Sequence, residues 1–280
     1  MEKVSVIMPC YNDGKYIEEA VASIRMQTYH DIELIIINDG SDDPLTLSVL
    51  KKLGENGAMV LTTNHLGPSA ARNAGIGKAS GKYIMPLDAD DTIEPDYIEK
   101  AVAVLDKYDS VGIVYCHADL FGKKSGSWNL PDYSLKNMLV DNVIFVTALF
   151  RREDWQKIGG FSSAMKNGLE DYDFWLSIME LGREVYQLPE TLFHYRIKSA
   201  SRTTKLMDDA SVLKETYRTI YERHTVLFSR YKDEYAIALR EALIDQIQIN
   251  RTYQKMFGIL DRIKIISAIR KRVKRMLLKR

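Results

Sequence analysis

The sequence has few cysteines and no long apolar run. Cys10 and Cys116 are its only cysteines in 280 residues, and each lies inside an apolar stretch. This pattern argues against a disulfide scaffold and predicts a reducing, cytoplasmic location. No uninterrupted apolar stretch approaches the roughly 20 residues that cross a bilayer. No basic segment precedes the apolar run Val4–Met8, so a signal peptide is not predicted.

An excess of charge of one sign is also missing, since 39 basic and 38 acidic residues leave a net charge of +1. The balance is uneven along the chain, however. Residues 250–280 hold eleven Lys or Arg residues and a single acid, Asp261. This asymmetry predicts an acidic body with a basic tail that has a partner of its own. Nucleic acid is not the expected partner, because the acidic body would repel it and no known nucleic-acid-binding module is present.

The first 120 residues alternate β-branched, apolar runs with amphipathic helical patterns, as at Ile17, Ala20, Val21 and Ile24. This alternation predicts an α/β fold with a mostly parallel sheet flanked by helices, and ligands beyond the carboxyl ends of its strands. The predicted strands are Val4–Pro9, Glu33–Asn38, Met59–Thr62, Lys82–Leu87 and Val111–Cys116, and the predicted helices are 14–27, 43–53, 68–79 and 95–107.

The pattern loosens after residue 120 and becomes entirely helical after about residue 206. We therefore predict an α/β domain over residues 1–205 and a helical C-terminal extension over residues 206–280. The later predicted elements are a loop at Gly122–Pro131, a strand at Asn142–Phe150, a helix at 170–181, strands at 184–188 and 191–197, and helices at 207–229, 232–255 and 259–279.

Polar residues follow three of the predicted strands where each strand ends, in the segments Pro9–Asn12, Asn38–Asp42 and Asp88–Asp91. An aromatic ring there can stack on a base, an Asp can accept a hydrogen bond from a base or ribose, and paired carboxylates can hold Mg²⁺ or Mn²⁺. The Asp88–Asp91 run carries three carboxylates that repel one another without a compensating cation. The alternative is a solvated turn or a helix N-cap, which Asp also favours.

Six segments together resemble the family 2 glycosyltransferases, which have the GT-A fold. The resemblance covers roughly residues 3–200. Each segment alone is moderately specific, but six in the family's order are strongly specific. The segments are Val4–Asn12, Asn38–Asp42, Gly67–Gly75, Asp88–Asp91, Gly159–Phe161 and Glu170–Trp175.

The resemblance implies a binding site for a nucleotide-sugar donor. Pro9 and Tyr11 would line the base pocket, and Asp39 would hydrogen-bond the base, which is usually uracil in this family. Arg72 would lie near the base or the diphosphate, and Asp88 would contact the ribose or the donor sugar. Tyr11 could instead cap the sheet edge, and Arg72 could be a surface ion-pair partner.

The resemblance also implies a metal, with Asp90 as the ligand of an Mn²⁺ or Mg²⁺ ion that bridges the diphosphate. Members of the family often carry Tyr-Arg-x-His near the end of the catalytic domain, but here Lys198 stands in the place of that His. A protonated Lys cannot ligate a metal, whereas it can neutralise phosphate as a point charge. We therefore predict that Lys198 contacts the diphosphate directly, and that the nearby His194 is a structural strand residue.

Glu170 and Asp171 belong to the acceptor side in this resemblance. Displacement at an anomeric carbon needs a carboxylate that takes the proton of the attacking hydroxyl, and the family pattern assigns this role to Asp171. Glu170 and Trp175 are predicted to contact the acceptor or sugar, Trp175 through its flat apolar ring. The alternatives are acids that favour the first turn of a helix and a Trp that belongs to the core.

The basic tail, residues 259–280, has the pattern of an amphipathic helix. Such a helix can lie on an anionic membrane surface, which would suit a lipid-linked acceptor and a peripheral location on the inner face of the cell membrane. The alternative is a helix that packs on its own domain or on a partner subunit, and the sequence leaves the oligomeric state open.

The resemblance therefore implies an inverting, metal-dependent glycosyltransferase. Its donor would be a nucleotide-diphosphate sugar, usually a UDP-sugar, and its acceptor a glycan or a lipid-linked hydroxyl in bacterial surface polysaccharide assembly. One alternative is a nucleotidyltransferase, although the short, acidic loop after the first strand argues against it. The other is a nucleotide-sugar-binding subunit without catalysis.

Overall fold

The computed structural model describes residues 2–198 and 206–260, and the part up to Arg230 forms one sheet of nine strands with flanking helices. The strands are β1 Val4–Cys10, β2 Ile32–Asn38, β3 Met59–Thr62, β4 Tyr83–Pro86, β5 Thr92–Ile93, β6 Val111–Gly122, β7 Gly126–Ser127, β8 Leu149–Arg151 and β9 Glu184–Ile197. The helices are α1 Ile17–Arg25, α2 Pro44–Glu55, α3 Pro68–Ile76, α4 Tyr97–Lys107, α5 Leu135–Val140, α6 Arg152–Ile158, α7 Glu170–Glu180, α8 Ala210–Arg223, α9 Thr225–Arg230 and α10 Lys232–Leu260.

The strands are ordered β3-β2-β1-β4-β8-β6-β9-β5, with β7 paired to β6. Strands β1 to β4 are mutually parallel, and β6 is parallel to β9, whereas β8 runs antiparallel to both β4 and β6. The α/β fold with helices around the sheet is thus confirmed, with antiparallel pairs added beyond β4. Because β1, β2 and β4 are parallel, their carboxyl ends at Cys10, Asn38 and Pro86 meet at one rim of the sheet.

Helices pack on this sheet through buried apolar side chains. In α1, the predicted residues Ile17, Ala20, Val21 and Ile24 are all buried. Helix α2 begins at Pro44 and is capped by Asp43, whose carboxylate accepts a hydrogen bond from the Thr46 backbone N–H. The apolar periodicity of the sequence therefore identified the packed faces correctly in this part of the chain.

The elements after residue 120 differ from the predictions. Strand β6 continues to Gly122, and β9 is one strand where two were predicted. Pro189 interrupts the pattern inside β9, and the β6–β9 register shifts beside it, so the strand passes Pro189 as a bulge. The predicted strand Asn142–Phe150 is wrong over most of its length, because β8 begins only at Leu149.

The C-terminal helices belong to two compact units. The first unit is Met1–Arg230 and includes α8 and α9, and the second begins at Tyr231 and contains α10. The predicted division into residues 1–205 and 206–280 stays a prediction. The basic tail at 259–280 lies almost wholly outside the described residues. Among the helices of the described residues, none combines the length and the apolar character needed to cross a membrane.

Candidate active site

Backbone strain is concentrated around the rim formed by β1, β2 and β4. In the described part of the chain, the non-glycine residues with positive φ are Asn12 (57°), His65 (52°) and Leu169 (58°). Asn12 follows β1, His65 lies in the loop after β3, and Leu169 directly precedes α7. Residues held in this region of backbone space cost free energy and are concentrated at functional sites. The strained positions therefore flank the residues that the sequence predicts to be functional.

Asp39, at the end of β2, organises the loop that follows β3. One of its carboxylate oxygens accepts hydrogen bonds from Thr63 Oγ1 (2.7 Å) and Leu66 N (2.8 Å), and the other accepts one from Gly67 N (2.8 Å). The side chain is buried, so this loop is fixed against the sheet. Its predicted contact with the base stays a prediction, and the structure adds an anchoring role.

Tyr11 lies on the same part of the rim. Its ring stands 4.1 Å from the His65 ring, centroid to centroid, and the side chain is 43% exposed. Pro9, two residues earlier, is only partly buried in β1. An exposed aromatic ring that is supported from one side offers its other face to a planar ligand. The base-pocket roles of Pro9 and Tyr11 remain predictions that this geometry permits.

Arg72 connects the Asp88–Asp91 run to the Glu170–Trp175 segment. Its Nη2 donates to Asp88 Oδ1 (2.8 Å) and its Nη1 donates to Glu170 Oε1 (2.9 Å). The guanidinium is buried, and it lies over the Phe161 ring. Burial lowers the pKa of Arg72, but the charges of Asp88 and Glu170 outweigh this effect and raise it, so the group stays cationic. The alternative of a surface ion-pair partner is wrong, because Arg72 is an interior bridge.

The Asp88–Asp91 run presents its three carboxylates to different surroundings. Asp91 is buried and accepts a hydrogen bond from the Arg196 backbone N–H (2.8 Å). Burial and the neighbouring charges of Asp90 and Asp88 raise the pKa of Asp91 well above its usual value, and burial and Asp88 also raise that of Asp90. This concentration of negative charge favours a cation at the rim.

Lys198 supplies such a cation from within the chain. Its Nζ lies 2.7 Å from Asp90 Oδ2 and 2.8 Å from Asp13 Oδ1. Burial lowers the pKa of Lys198, but the charges and hydrogen bonds of Asp90 and Asp13 outweigh it, so the pKa is raised. The predicted contact of Lys198 with a diphosphate stays a prediction. His194, in β9, is a structural strand residue, as predicted. Its ring contacts Asp119 and Glu94.

The carboxylates of the Asp88–Asp91 run are compatible with a divalent ion that also binds phosphate. The described residues contain no cluster of three or more His, Cys, Asp or Glu side chains that could hold a metal by themselves. Mg²⁺ and Mn²⁺ take one or two carboxylates and fill their remaining positions with water and phosphate oxygens. Asp88 and Asp90 match this smaller requirement, since both are partly accessible at the rim.

Asp171 stands in the first turn of α7, two residues after the strained Leu169. Its Oδ1 accepts a hydrogen bond from the Tyr172 backbone N–H (2.8 Å). Burial and the charge of Glu170, opposed by the charge of Arg72, raise the pKa of Asp171 to about 7. A carboxylate with this pKa can accept a proton near neutral pH, which is the property that a general base needs.

Glu170 and Trp175, the two other residues predicted to contact the acceptor or sugar, are buried and have partners inside the protein. Glu170 is buried and holds Arg72. Trp175 has 0% exposure, donates from Nε1 to the Ile144 carbonyl (3.1 Å) and packs edge-on against Phe150. The prediction that Trp175 offers its ring to a sugar is therefore wrong, and the core alternative is right. Its ring has no free face.

Three residues of the site were missed as site residues by the sequence reasoning: Asp13, His65 and Arg196. Asp13 pairs with Lys198, and its position directly after the Pro9–Asn12 segment was the available signal. Arg196 donates from Nε to the Asp90 carbonyl (2.7 Å) and lies 4.1 Å from the centre of the Phe121 ring. His65 supports Tyr11, and its neighbours in the sequence give no pattern that predicts this contact.

Comparison with known sequences bears on the chemistry of this site. The profile of glycosyl transferase family 2 matches residues 5–168. An uncharacterized glycosyltransferase of Haemophilus influenzae is 34% identical over 216 residues, which are 69% of this chain and 65% of that protein. The chondroitin synthase of Pasteurella multocida is 32% identical over 186 residues, which are 64% of this chain but only 19% of the synthase. The chain thus spans less than two thirds of these relatives' lengths.

Solved structures share the fold. TarS of S. aureus (residues 1–349), in complex with UDP-GlcNAc, has a TM-score of 0.64 at 20% identity, over 79% of this chain and 66% of that one. The mannosyltransferase PcManGT of Pyrobaculum calidifontis, in complex with GDP-Man and Mn²⁺, has a TM-score of 0.59 at 19% identity, over 91% and 84% of the two chains. At these identities, the likeness establishes the architecture alone.

Proposed function

The chain belongs to glycosyl transferase family 2, and from this premise we propose that it transfers a sugar from a nucleotide-diphosphate donor to a hydroxyl group of a glycan or lipid-linked acceptor. Relatives named chondroitin synthase and hyaluronan synthase support polysaccharide biosynthesis as the setting. TarS structures with UDP and UDP-GlcNAc support a UDP-sugar as the donor. The observation that carries the catalytic proposal is the pKa of Asp171, raised to about 7 beside the Arg72 bridge.

In the proposed reaction, Asp171 is the general base. Its carboxylate takes the proton of the acceptor hydroxyl while that oxygen forms a bond to the anomeric carbon of the donor sugar. The bond between the anomeric carbon and the diphosphate oxygen breaks in the same displacement, and its electron pair leaves with the nucleotide. Attack from the side opposite the leaving group inverts the anomeric configuration. Transfer of the proton raises the nucleophilicity of the oxygen, a contribution typically worth 10²–10⁴-fold in rate.

The rim residues position the donor in this proposal. The exposed face of Tyr11 stacks on the base, with Pro9 beside it, and the loop held by Asp39 shapes the pocket. Asp88 contacts the ribose or the donor sugar, and its link to Arg72 keeps the carboxylate in a defined position. Arg72 and Lys198 supply positive charge toward the diphosphate region.

We propose Mn²⁺ or Mg²⁺ as the cofactor, with Asp90 as its ligand and Asp88 beside it. When bound, the ion stabilises the negative charge that develops on the departing nucleotide. The Mn²⁺ in the PcManGT complex supports a metal in this fold. The contribution of the chain is to hold two carboxylates of the Asp88–Asp91 run partly accessible while Arg196 fixes the backbone around Asp90.

The test of this proposal is Asp171→Asn, which keeps the shape of the side chain but removes the base. We expect transfer to fall by at least about 10²-fold with nearly unchanged donor binding, since Asp171 acts on the acceptor. Glu222→Gln, an exposed acid on α8, is the matched control and should keep wild-type activity. Measured transfer rates and donor Kd values decide the matter, and unchanged transfer by Asp171→Asn would remove the base assignment.

The donor itself can be found by a thermal-shift screen of nucleotide sugars, with and without Mn²⁺. A ligand that binds the folded state stabilises it by mass action, by about 2.7 kcal/mol at a concentration of 100 Kd, and this raises the melting temperature. We expect a UDP-sugar to give the largest shift and Mn²⁺ to increase it. Shifts confined to GDP-sugars would reassign the nucleotide.

We also propose that residues 259–280 bring the enzyme to an anionic membrane surface, where a lipid-linked acceptor would lie. The support is the sequence alone, namely a basic amphipathic pattern. Co-sedimentation with phosphatidylglycerol vesicles, but not with phosphatidylcholine vesicles, is the expected result. Equal recovery with both would contradict the electrostatic part of the proposal.

A further inference from the structure

The ammonium of Lys198 lies between two carboxylates of the site proposed to hold the metal. The Nζ is within 2.8 Å of both Asp90 and Asp13, while the Lys198 side chain is 27% exposed. A divalent ion at Asp90 would need the oxygen that Lys198 now contacts, or would stand next to an unscreened positive charge. Two cations at such separation repel each other strongly where solvent screening is reduced.

We propose that Lys198 is an internal counter-ion which competes with the divalent cation for Asp90 and Asp13. The cation then binds the free protein only by displacing the Lys198 ammonium. Donor phosphates give the displaced ammonium a new partner, so the cation and the donor enter the site together. This inference rests on the proposed function, in that it concerns the metal of the same site.

The backbone around Lys198 supports a displacement of the side chain alone. Two residues earlier, Arg196 is fixed by its backbone hydrogen bond to Asp91, by its side-chain hydrogen bond to the Asp90 carbonyl and by its ion pair with Glu19. The same guanidinium lies 4.7 Å from the centre of the Tyr16 ring. The chain is thus held beside the Asp88–Asp91 run, whereas the partly exposed Lys198 ammonium, on its flexible four-carbon stem, can turn toward solvent or phosphate.

The charge of the site explains why such a counter-ion would be needed. The charges of Asp88 and Asp13 both raise the pKa of Asp90, so these two carboxylates lie close enough to repel that of Asp90. Without an ion, this repulsion would destabilise the folded state. Lys198 compensates it in the free protein, and a consequence is a lower affinity for free Mn²⁺. The coupling between the metal and Lys198 is reciprocal. Removal of Lys198 from Asp90 must therefore tighten metal binding by the same factor by which the metal weakens the Lys198–Asp90 contact.

The experiment is a titration of the donor-free, full-length protein with Mn²⁺, followed by isothermal calorimetry or by the electron paramagnetic resonance signal of free Mn²⁺. Neutral variants Lys198→Met and Lys198→Gln should lower the Kd for Mn²⁺ by about tenfold or more, within the usual range of coupling factors. Lys198→Arg retains the charge and should bind Mn²⁺ as weakly as wild type. Either neutral variant that keeps a wild-type circular dichroism spectrum and a cooperative melt decides the outcome.

The matched control is Lys100→Met. Lys100 also lies between two carboxylates, Asp96 (2.8 Å) and Glu190 (3.0 Å), and its side chain is 34% exposed, but it stands away from the Asp88–Asp91 run on α4. Its replacement should leave the Mn²⁺ affinity unchanged.

An unchanged or weaker Mn²⁺ affinity in both Lys198 variants, or an equal gain in Lys100→Met, overturns the proposal. This readout needs neither donor nor turnover, so it is independent of the Asp171→Asn test. A chain without transferase activity could still show the competition, and an active transferase could lack it.

Discussion

At the scale of single residues, the most consequential feature is a carboxylate whose pKa lies near neutrality. Burial is the main cause of the raised pKa of Asp171, and the adjacent Glu170 adds to it. Glu170 accepts a hydrogen bond from Arg72, and the charge of Arg72 opposes the rise in the pKa of Asp171. The adjacent acids therefore differ, since Glu170 anchors a buried cation whereas Asp171 is the proposed base.

This division predicts a definite pH dependence. Asp171 must be ionised to act as a base, so kcat/KM should rise with pH through an apparent pKa of about 7 and level off above it. The effect of rising pH on the free energy of unfolding has the opposite sign. A folded-state pKa raised above the unfolded value of about 3.9 makes Asp171 increasingly destabilising as the pH rises from about 4 to 7.

Both consequences can be measured with one pair of proteins. The pH–rate profile of the wild type gives the apparent pKa, and Asp171→Asn should gain melting temperature relative to the wild type between pH 5 and pH 8. A gain of about 2–4 °C corresponds to about 1 kcal/mol for a chain of this size. A flat kcat/KM between pH 5.5 and pH 8, or a melting difference independent of pH, would contradict the assignment.

At the scale of elements, the sequence was most informative in its first 120 residues. Strands β1 to β4 were predicted from short β-branched, apolar runs, and helices α1 to α4 from amphipathic helical patterns between them. The same reasoning failed for Trp175, because α7 is buried on nearly all sides and gives no apolar face to separate from a binding face. Contacts such as Lys198 with Asp13, 185 residues apart, depend on tertiary structure that no local pattern encodes.

The packing of α3 on the sheet gives a prediction at this scale. A Cβ at Gly75 would lie 2.6 Å from Ile37 Cδ1 and 2.8 Å from Ile7 Cγ2, so Gly75→Ala should push the helix away from β1 and β2. We expect a loss of about 1–3 kcal/mol in the free energy of unfolding, the usual cost of overpacking a core. Urea unfolding monitored by circular dichroism measures it.

Gly54→Ala is the control for this prediction. Gly54 lies near the end of α2, where an added Cβ would meet Val60 Cγ2 at an ordinary contact distance of 3.7 Å. There the substitution removes backbone freedom from the unfolded chain without a clash, and it should stabilise by about 0.5–1 kcal/mol. Equal effects of the two substitutions would show that α3 does not need the close approach at Gly75.

At the scale of the whole molecule, α8 and α9 complete the first compact unit rather than extend from it. Arg223 Nε donates to Asp173 Oδ1 (2.5 Å), and the buried His224 lies 3.2 Å from the same carboxylate through Nε2. Burial raises the pKa of Asp173, but the hydrogen bonds from His224 and Arg223 outweigh it and lower the pKa. Asp173 stands two residues after Asp171 on α7, so the support of the proposed base depends on side chains from beyond residue 206.

Two truncated chains test whether the catalytic domain ends at Arg230, as the compact unit does, or near residue 205, as the sequence predicts. A chain ending at Arg230 keeps α8 and α9, and we expect it to fold and to bind the nucleotide-sugar donor with wild-type affinity, because every predicted donor residue lies in this unit. A chain ending at residue 205 loses Arg223 and His224, the two partners of the Asp173 carboxylate. Removing one side of a buried charge pair costs about 3–5 kcal/mol, so this shorter chain should melt far lower or fail to fold. Circular dichroism melts, with and without UDP-GlcNAc, compare the two. Equal stability of both truncations would place the boundary of the catalytic domain near residue 206.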